Sequence, residues 1–185
     1  EVEHLKRQRE SLVAHRRETD AMIEALDILL EDAMNDNELT LEEVGKILGD
    51  ADFAAHQSEA EERYGDTADW RESQERTASW QTADWRQNAE RFHDIERRMI
   101  DAIRDGAAPD SERAASLVEE HREALSEFFP VTPAKHYIMS RGYIHDERFR
   151  EHYDSQQVGF ARWLADAIEH VASQQGVDIE NPTWE

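Results

Sequence analysis

The sequence predicts an all-α chain, in which a long N-terminal helix precedes helices of mixed length. Three observations predict it. No stretch sustains the alternation of apolar and polar residues that marks a strand. Capping residues, Gly and Pro recur between apolar repeats of three and four. Hydrophobic residues make up 38% and charged residues 35%, which suits solvated helices around a modest core.

Residues 1–34 form a block without Gly or Pro. On a seven-residue grid, one set of core positions holds Val2, Arg9, Arg16, Ile23 and Leu30, and the other Leu5, Leu12, Thr19, Leu26 and Ala33. The apolar members form a coiled-coil seam, which the two Arg and the Thr weaken in its first half. This helix either packs on its own domain or pairs with a second copy. At over about 45 Å it is too long for so small a domain to cover. A homodimer through Leu5, Leu12, Ile23, Leu26 and Leu30 is therefore expected.

Asn35-Asp36-Asn37 breaks that helix, and residues 35–175 form the second region. Thr40-Leu41-Glu42-Glu43 reads as a capping box for a short helix that ends at Gly49. Phe53, Ala60 and Tyr64 mark another, which Gly65 stops. Asp66 or Thr67 caps a helix over about 67–80. Its least polar stripe is Trp70, Ser73, Thr77 and Trp80, which either packs inward or walls a ligand site. It buries little aliphatic surface, so it belongs to the low-stability end of the protein.

Thr82 opens a long helix to about Arg104, with Trp85, Ala89, Phe92, Met99 and Ile103 on one side. Asp105-Gly106 ends it. The next helix, from about Asp110 to Phe129, carries Ala114, Val118, His121, Leu125 and Phe128 inward. Phe129-Pro130-Val131 breaks it, and Thr132-Pro133 starts a helix to about Ile144 with an N-cap and Pro at the first position. Asp146 caps a short piece containing Phe149 and Tyr153. The last helix, about 156–174, sets Phe160, Leu164, Ile168 and Val171 inward, and residues 176–185 read as a loose tail.

The chain of 185 residues implies one domain with an appendage. Its 43 acidic against 21 basic residues give a formal charge of -22, which repels nucleic acid and anionic membranes. It has no Cys, which removes disulfides and thiolate chemistry and fits a cytoplasmic setting. No signal peptide or membrane span is read. The start at Glu1 leads to the expectation that a segment has been removed upstream.

No enzyme signature emerges. Glu90-Arg91-Phe92-His93 is the single Glu-x-x-His, where di-iron bundles use two. His121, on an apolar face, reads as a buried neutral imidazole with a hydrogen-bond partner, although a site of His56, His121 and His136 stays open. No metal or cofactor is expected. Aromatics cluster at the helix breaks, at Tyr64, Phe128, Phe129 and Tyr143, and can line a cleft.

These residues also carry a resemblance. Glu59-Ala60-Glu61-Glu62-Arg63-Tyr64-Gly65-Asp66-Thr67, then Trp70-Arg71-Glu72-Ser73 and Arg76-Thr77, resemble the opening of the TipAS domain. This is the antibiotic-recognition domain at the C-terminus of some MerR-family transcription regulators. His121 before Phe128-Phe129, then His136, Asp146-Glu147-Arg148-Phe149, Tyr153-Asp154, Gly159-Phe160-Ala161 and Leu164 to Ile168 follow in family order. The resemblance covers about residues 49–171. Residues 1–33 resemble the MerR dimerisation helix, whose pairing in the family is antiparallel.

The resemblance implies a globin-like fold around a cleft, a bulky and mostly uncharged ligand such as a thiopeptide, and a segment that orders when the drug binds. Promoter DNA would be reached only through a winged helix-turn-helix before Glu1. Some members capture thiopeptides through a Cys after the aromatic pair. Val131 stands there, so binding here would be noncovalent. The expected cleft is bordered by Tyr64, Trp80, Phe129, Val131, His136, Met139 and Tyr143, with Trp70, Ser73 and Thr77 on the weak helix. Burying about 300 Å² of apolar surface there would give about 7 kcal/mol gross. Ordering loose helices would offset several kcal/mol of it. Two rival readings are a helical protein-interaction module and a metalloenzyme.

Overall fold

The computed structural model describes residues 9, 23, 39–50 and 52–184. Eight helices are present among them: α1 (Leu41–Leu48), α2 (Phe53–Tyr64), α3 (Ala68–Thr77), α4 (Thr82–Arg104), α5 (Glu112–Leu125), α6 (Pro133–His145), α7 (Glu147–Gln156) and α8 (Phe160–Gln174). There is no strand among the described residues, so the all-α expectation holds. Of the seam residues, Ile23 is helical and 50% exposed. Leu5, Leu12, Leu26 and Leu30 lie outside the described residues. The chain divides into two compact units, one of residues 1–54 with 80–86 and one of 55–79 with 87–185.

In the first unit the capping box of α1 is complete. Thr40 Oγ1 accepts from Glu43 N at 3.3 Å, and Glu43 Oε2 accepts from Thr40 N at 2.8 Å. Gly49 ends the helix at φ 71°, a conformation that a side chain would oppose. A Cβ at Gly45 would stand 2.6 Å from Asp50 O, so only Gly allows the chain to fold back there. Trp85 is the aromatic centre of this unit, with Trp80 edge-on at 4.7 Å and Phe53 at 6.3 Å.

The second unit is organised around α8, which packs on α5, α6 and α7. Phe160, Leu164 and Ile168 are buried along its inward face, as their spacing predicts. Ala161, Ala167 and Ala172 lie among them and let neighbouring helices approach closely. Ile95, Met99 and Ala102 of α4 and Ala114, Leu117 and Val118 of α5 complete the core. Burying each large side chain contributes about 2 kcal/mol. Arg141 ties α6 to α8, donating to Ala165 O at 2.9 Å and pairing with Glu169 at 3.0 Å. Trp163 Nε1 donates to Ala107 O at 2.8 Å and anchors the turn after α4.

Three helix boundaries and the tail differ from the sequence reading. Helix α3 stops at Thr77, so Trp80 is not on its stripe. The next helix begins almost at once, with Gln81 N donating to Asp84 Oδ2 at 2.9 Å, and the backbone must leave the helix between. Helix α5 ends at Leu125, before Phe128 and Phe129, where Ser126 Oγ donates to Arg122 O at 2.8 Å and accepts from Val131 N at 3.3 Å. Helix α8 starts at Phe160, because Gln157 is extended and Gly159 is left-handed at φ 82°. The tail is not loose: Val177 and Ile179 pack on the core, and Trp184 Nε1 donates to Asp69 Oδ2 at 2.7 Å.

Candidate functional site

Helix α3 buries none of its residues. Its start is well made, since Thr67 Oγ1 accepts from Trp70 N at 3.1 Å and donates to Tyr64 O at 2.7 Å. That pairing fixes Tyr64 to the first turn, and the residue stays 52% exposed. Arg76, near the other end, donates to Ser126 O at 2.7 Å. Arg122 of α5 holds the same 126–132 loop from below, donating to Val131 O at 2.9 Å. The loop that carries Phe129 is therefore fixed from two helices.

The strongest tie of α3 comes from Asp69. Both its carboxylate oxygens accept from Lys135 Nζ on the first turn of α6, at 2.9 and 2.8 Å. The two side chains are only 17% and 10% exposed, so water screens the pair poorly. Lys135 Nζ also stands 6.0 Å from the Phe129 ring and 5.8 Å from the Trp184 ring. Asp69, Lys135 and Trp184 were not legible as site residues. The available signals were a lysine at the apolar start of α6 and a tryptophan in a polar tail.

The predicted wall residues divide into three groups. Tyr64, Trp70, Ser73, Thr77, Phe129 and Met139 keep some exposure. Val131, His136 and Tyr143 are buried at 3%, 1% and 6% exposure, so they shape the region from behind. Trp80 belongs to the first unit, beside Trp85. An open depression of about 420 Å³ lies along the outer side of α3, lined by Ala68, Arg71, Glu72, Glu75 and Arg76. Its lining is charged rather than aromatic.

Behind the wall, His121 and His136 stack with ring centroids 5.1 Å apart. Burial lowers the pKa of His121 to about 4 and holds it neutral. His136 is lowered well below its ordinary value, by burial first and then by His121 and Arg122. His56, the third member of the triad left open above, is exposed. No group of three metal-ligating side chains occurs among the described residues. Glu96 is buried too, but hydrogen bonds from His152 and Gln156 outweigh the desolvation and keep its pKa low.

A comparison with protein families matches residues 56–171 to the TipAS antibiotic-recognition domain. This chain belongs to the TipAS family. The match opens within α2 and closes within α8, so it contains Asp69, Phe129 and Lys135 and leaves Trp184 outside. Two curated relatives are HTH-type transcriptional activators TipA, from Streptomyces coelicolor and Streptomyces lividans, each 31% identical over 166 residues. The alignment covers 89% of this chain, and the chain spans 66% of the length of those relatives. A solved structure of TipAS from Streptomyces lividans in complex with nosiheptide, part of a thiopeptide multidrug resistance system, superposes with a TM-score of 0.68. It is 31% identical and covers 75% of this chain and 98% of its own. Helix α3 and the 126–132 loop lie inside the residues of the family match.

Proposed function

We propose that this chain is the effector-sensing part of a transcription activator. It binds a thiopeptide-like antibiotic noncovalently on the face made by α3, the Phe129 loop and the start of α6. The likeness to the TipAS–nosiheptide complex over 98% of that chain carries this reading. The exposed Tyr64 and the half-buried Trp70 and Phe129 supply apolar contact, and Ser73 and Thr77 supply polar edges. Since α3 has no buried residue, its tertiary support comes mainly from Asp69 and Arg76. A ligand that adds apolar contact to it selects the ordered helix and shifts the population. The N-terminal helix then carries the change across a homodimer to a DNA-binding head in the cytoplasm. The charge of -22 leaves promoter contact to that head.

Isothermal titration of the purified chain with nosiheptide tests the reading. Saturable binding is expected, with Trp70→Ala weakening it at least tenfold while the helical circular dichroism stays unchanged. No heat from the folded protein, or unchanged affinity in the variant, overturns the proposed face.

A further inference from the structure

The tail beyond residue 171 lies outside the family match, yet it ends on the candidate site. Trp184 Nε1 donates to Asp69 Oδ2, the same oxygen that accepts from Lys135 Nζ. The indole face stands 5.8 Å from the Lys135 ammonium, which in turn is 6.0 Å from the Phe129 ring. One carboxylate therefore reads the N–H edge of an aromatic ring while one cation reads its face. We propose that Asp69, Lys135 and Phe129 form a seat for a planar aromatic ring carrying an N–H donor. Trp184 is its intramolecular occupant, and a ligand entering the site displaces it.

The way the tail is held fits an occupant that leaves. Val177 and Ile179 pack on the core and fix the base of the segment. Asp178 Oδ1 accepts from Glu180 N at 3.0 Å and Asn181 N at 3.2 Å, which makes a turn just before the tip. Residues 182–184 can swing from that turn without opening the core. Trp184 itself is 41% exposed, so a ligand ring that takes its place has to cover the surface that the indole now covers. Its polar contacts are replaced when the ligand supplies the same ring and donor. Tethering gives the indole a high effective concentration at the seat, so it acts as a standing competitor.

The displacement step rests on the proposed antibiotic site, whereas the seat does not, and two titrations separate them. The first adds indole to the ¹⁵N-labelled full chain and to its Trp184→Ala variant. Saturable shifts centred on the amides of Asp69, Phe129 and Lys135 are expected in the variant, and much weaker ones in the parent. Their absence from the variant overturns the seat. The second titrates nosiheptide into both proteins by calorimetry. Affinity three- to tenfold higher in Trp184→Ala is expected, with Trp184→Phe between, because it keeps the ring and loses the donor. Equal or weaker binding by Trp184→Ala overturns the occupant role. Nosiheptide binding to neither protein overturns both the antibiotic reading and the displacement step, while indole still decides the seat.

Discussion

His121 Nδ1 lies 2.9 Å from His136 Nε2, so one N–H is shared between two imidazoles inside the second unit. The rings are 15 residues apart in sequence and come from α5 and α6. Phe92 packs edge-on against His121 at 5.8 Å, and Tyr143 at 6.2 Å. An aromatic shell of this kind satisfies the neutral rings and penalises a charged one.

The pair makes stability depend on acid in a definite direction. Folded His121 has a pKa near 4, against an ordinary value of 6.5. Between those values the unfolded chain binds a proton that the folded chain refuses. Stability from this group is therefore level above pH 6.5 and falls as pH drops toward 4. The loss across that window is about 3 kcal/mol. Urea midpoints measured from pH 7 to 4 should fall less steeply in His121→Gln than in the parent. Parallel profiles would mean that the folded imidazole takes up the proton.

The Asp69–Lys135 pair should be costly to halve. Lys135→Met leaves a largely buried carboxylate, and Asp69→Asn leaves a largely buried ammonium. Each should destabilise by about 3 kcal/mol. The double variant should cost clearly less than the sum of the two, as urea unfolding at constant m-value would reveal. Additive losses would show that the pair contributes no coupling.

Phe160 has no exposed surface and meets the Tyr153 ring edge-on at 5.1 Å. Phe160→Ala should cost about 4 kcal/mol, from lost transfer energy and the cavity left behind. Chemical denaturation would read this directly. A loss below about 1 kcal/mol would mean that α8 closes over the gap.

The proposed dimerisation through residues 1–33 can be measured apart from ligand. Sedimentation at tens of micromolar should give a dimer for residues 1–185 and a monomer for 34–185. A monomer for the longer chain would remove the seam from the mechanism.

Local signals were legible in the sequence, because they act within one turn of helix. The caps at Thr40, Thr67, Thr132 and Asp146 each accept from a backbone N–H two or three residues on, as their positions predict. The inward stripe of α8 was legible for the same reason. Long-range pairings were not: Asp69 and Lys135 are 66 residues apart, and Asp69 and Trp184 are 115 apart. Periodicity carries no information about partners so distant. It also misplaced Trp80, because spacing of three and four continued past the point where Thr77 ends α3. Burial of Val131, His136 and Tyr143 was hidden likewise, since α6 carries no clear apolar stripe and a residue beside a break can face either way.

Val131 has a further consequence. Its side chain is 3% exposed and offers no group that can form a bond to a guest. On the proposed reading, a drug held by this domain would leave at its own dissociation rate. Occupancy would then follow the surrounding concentration up and down, and the domain would register present exposure and keep no memory of a past dose.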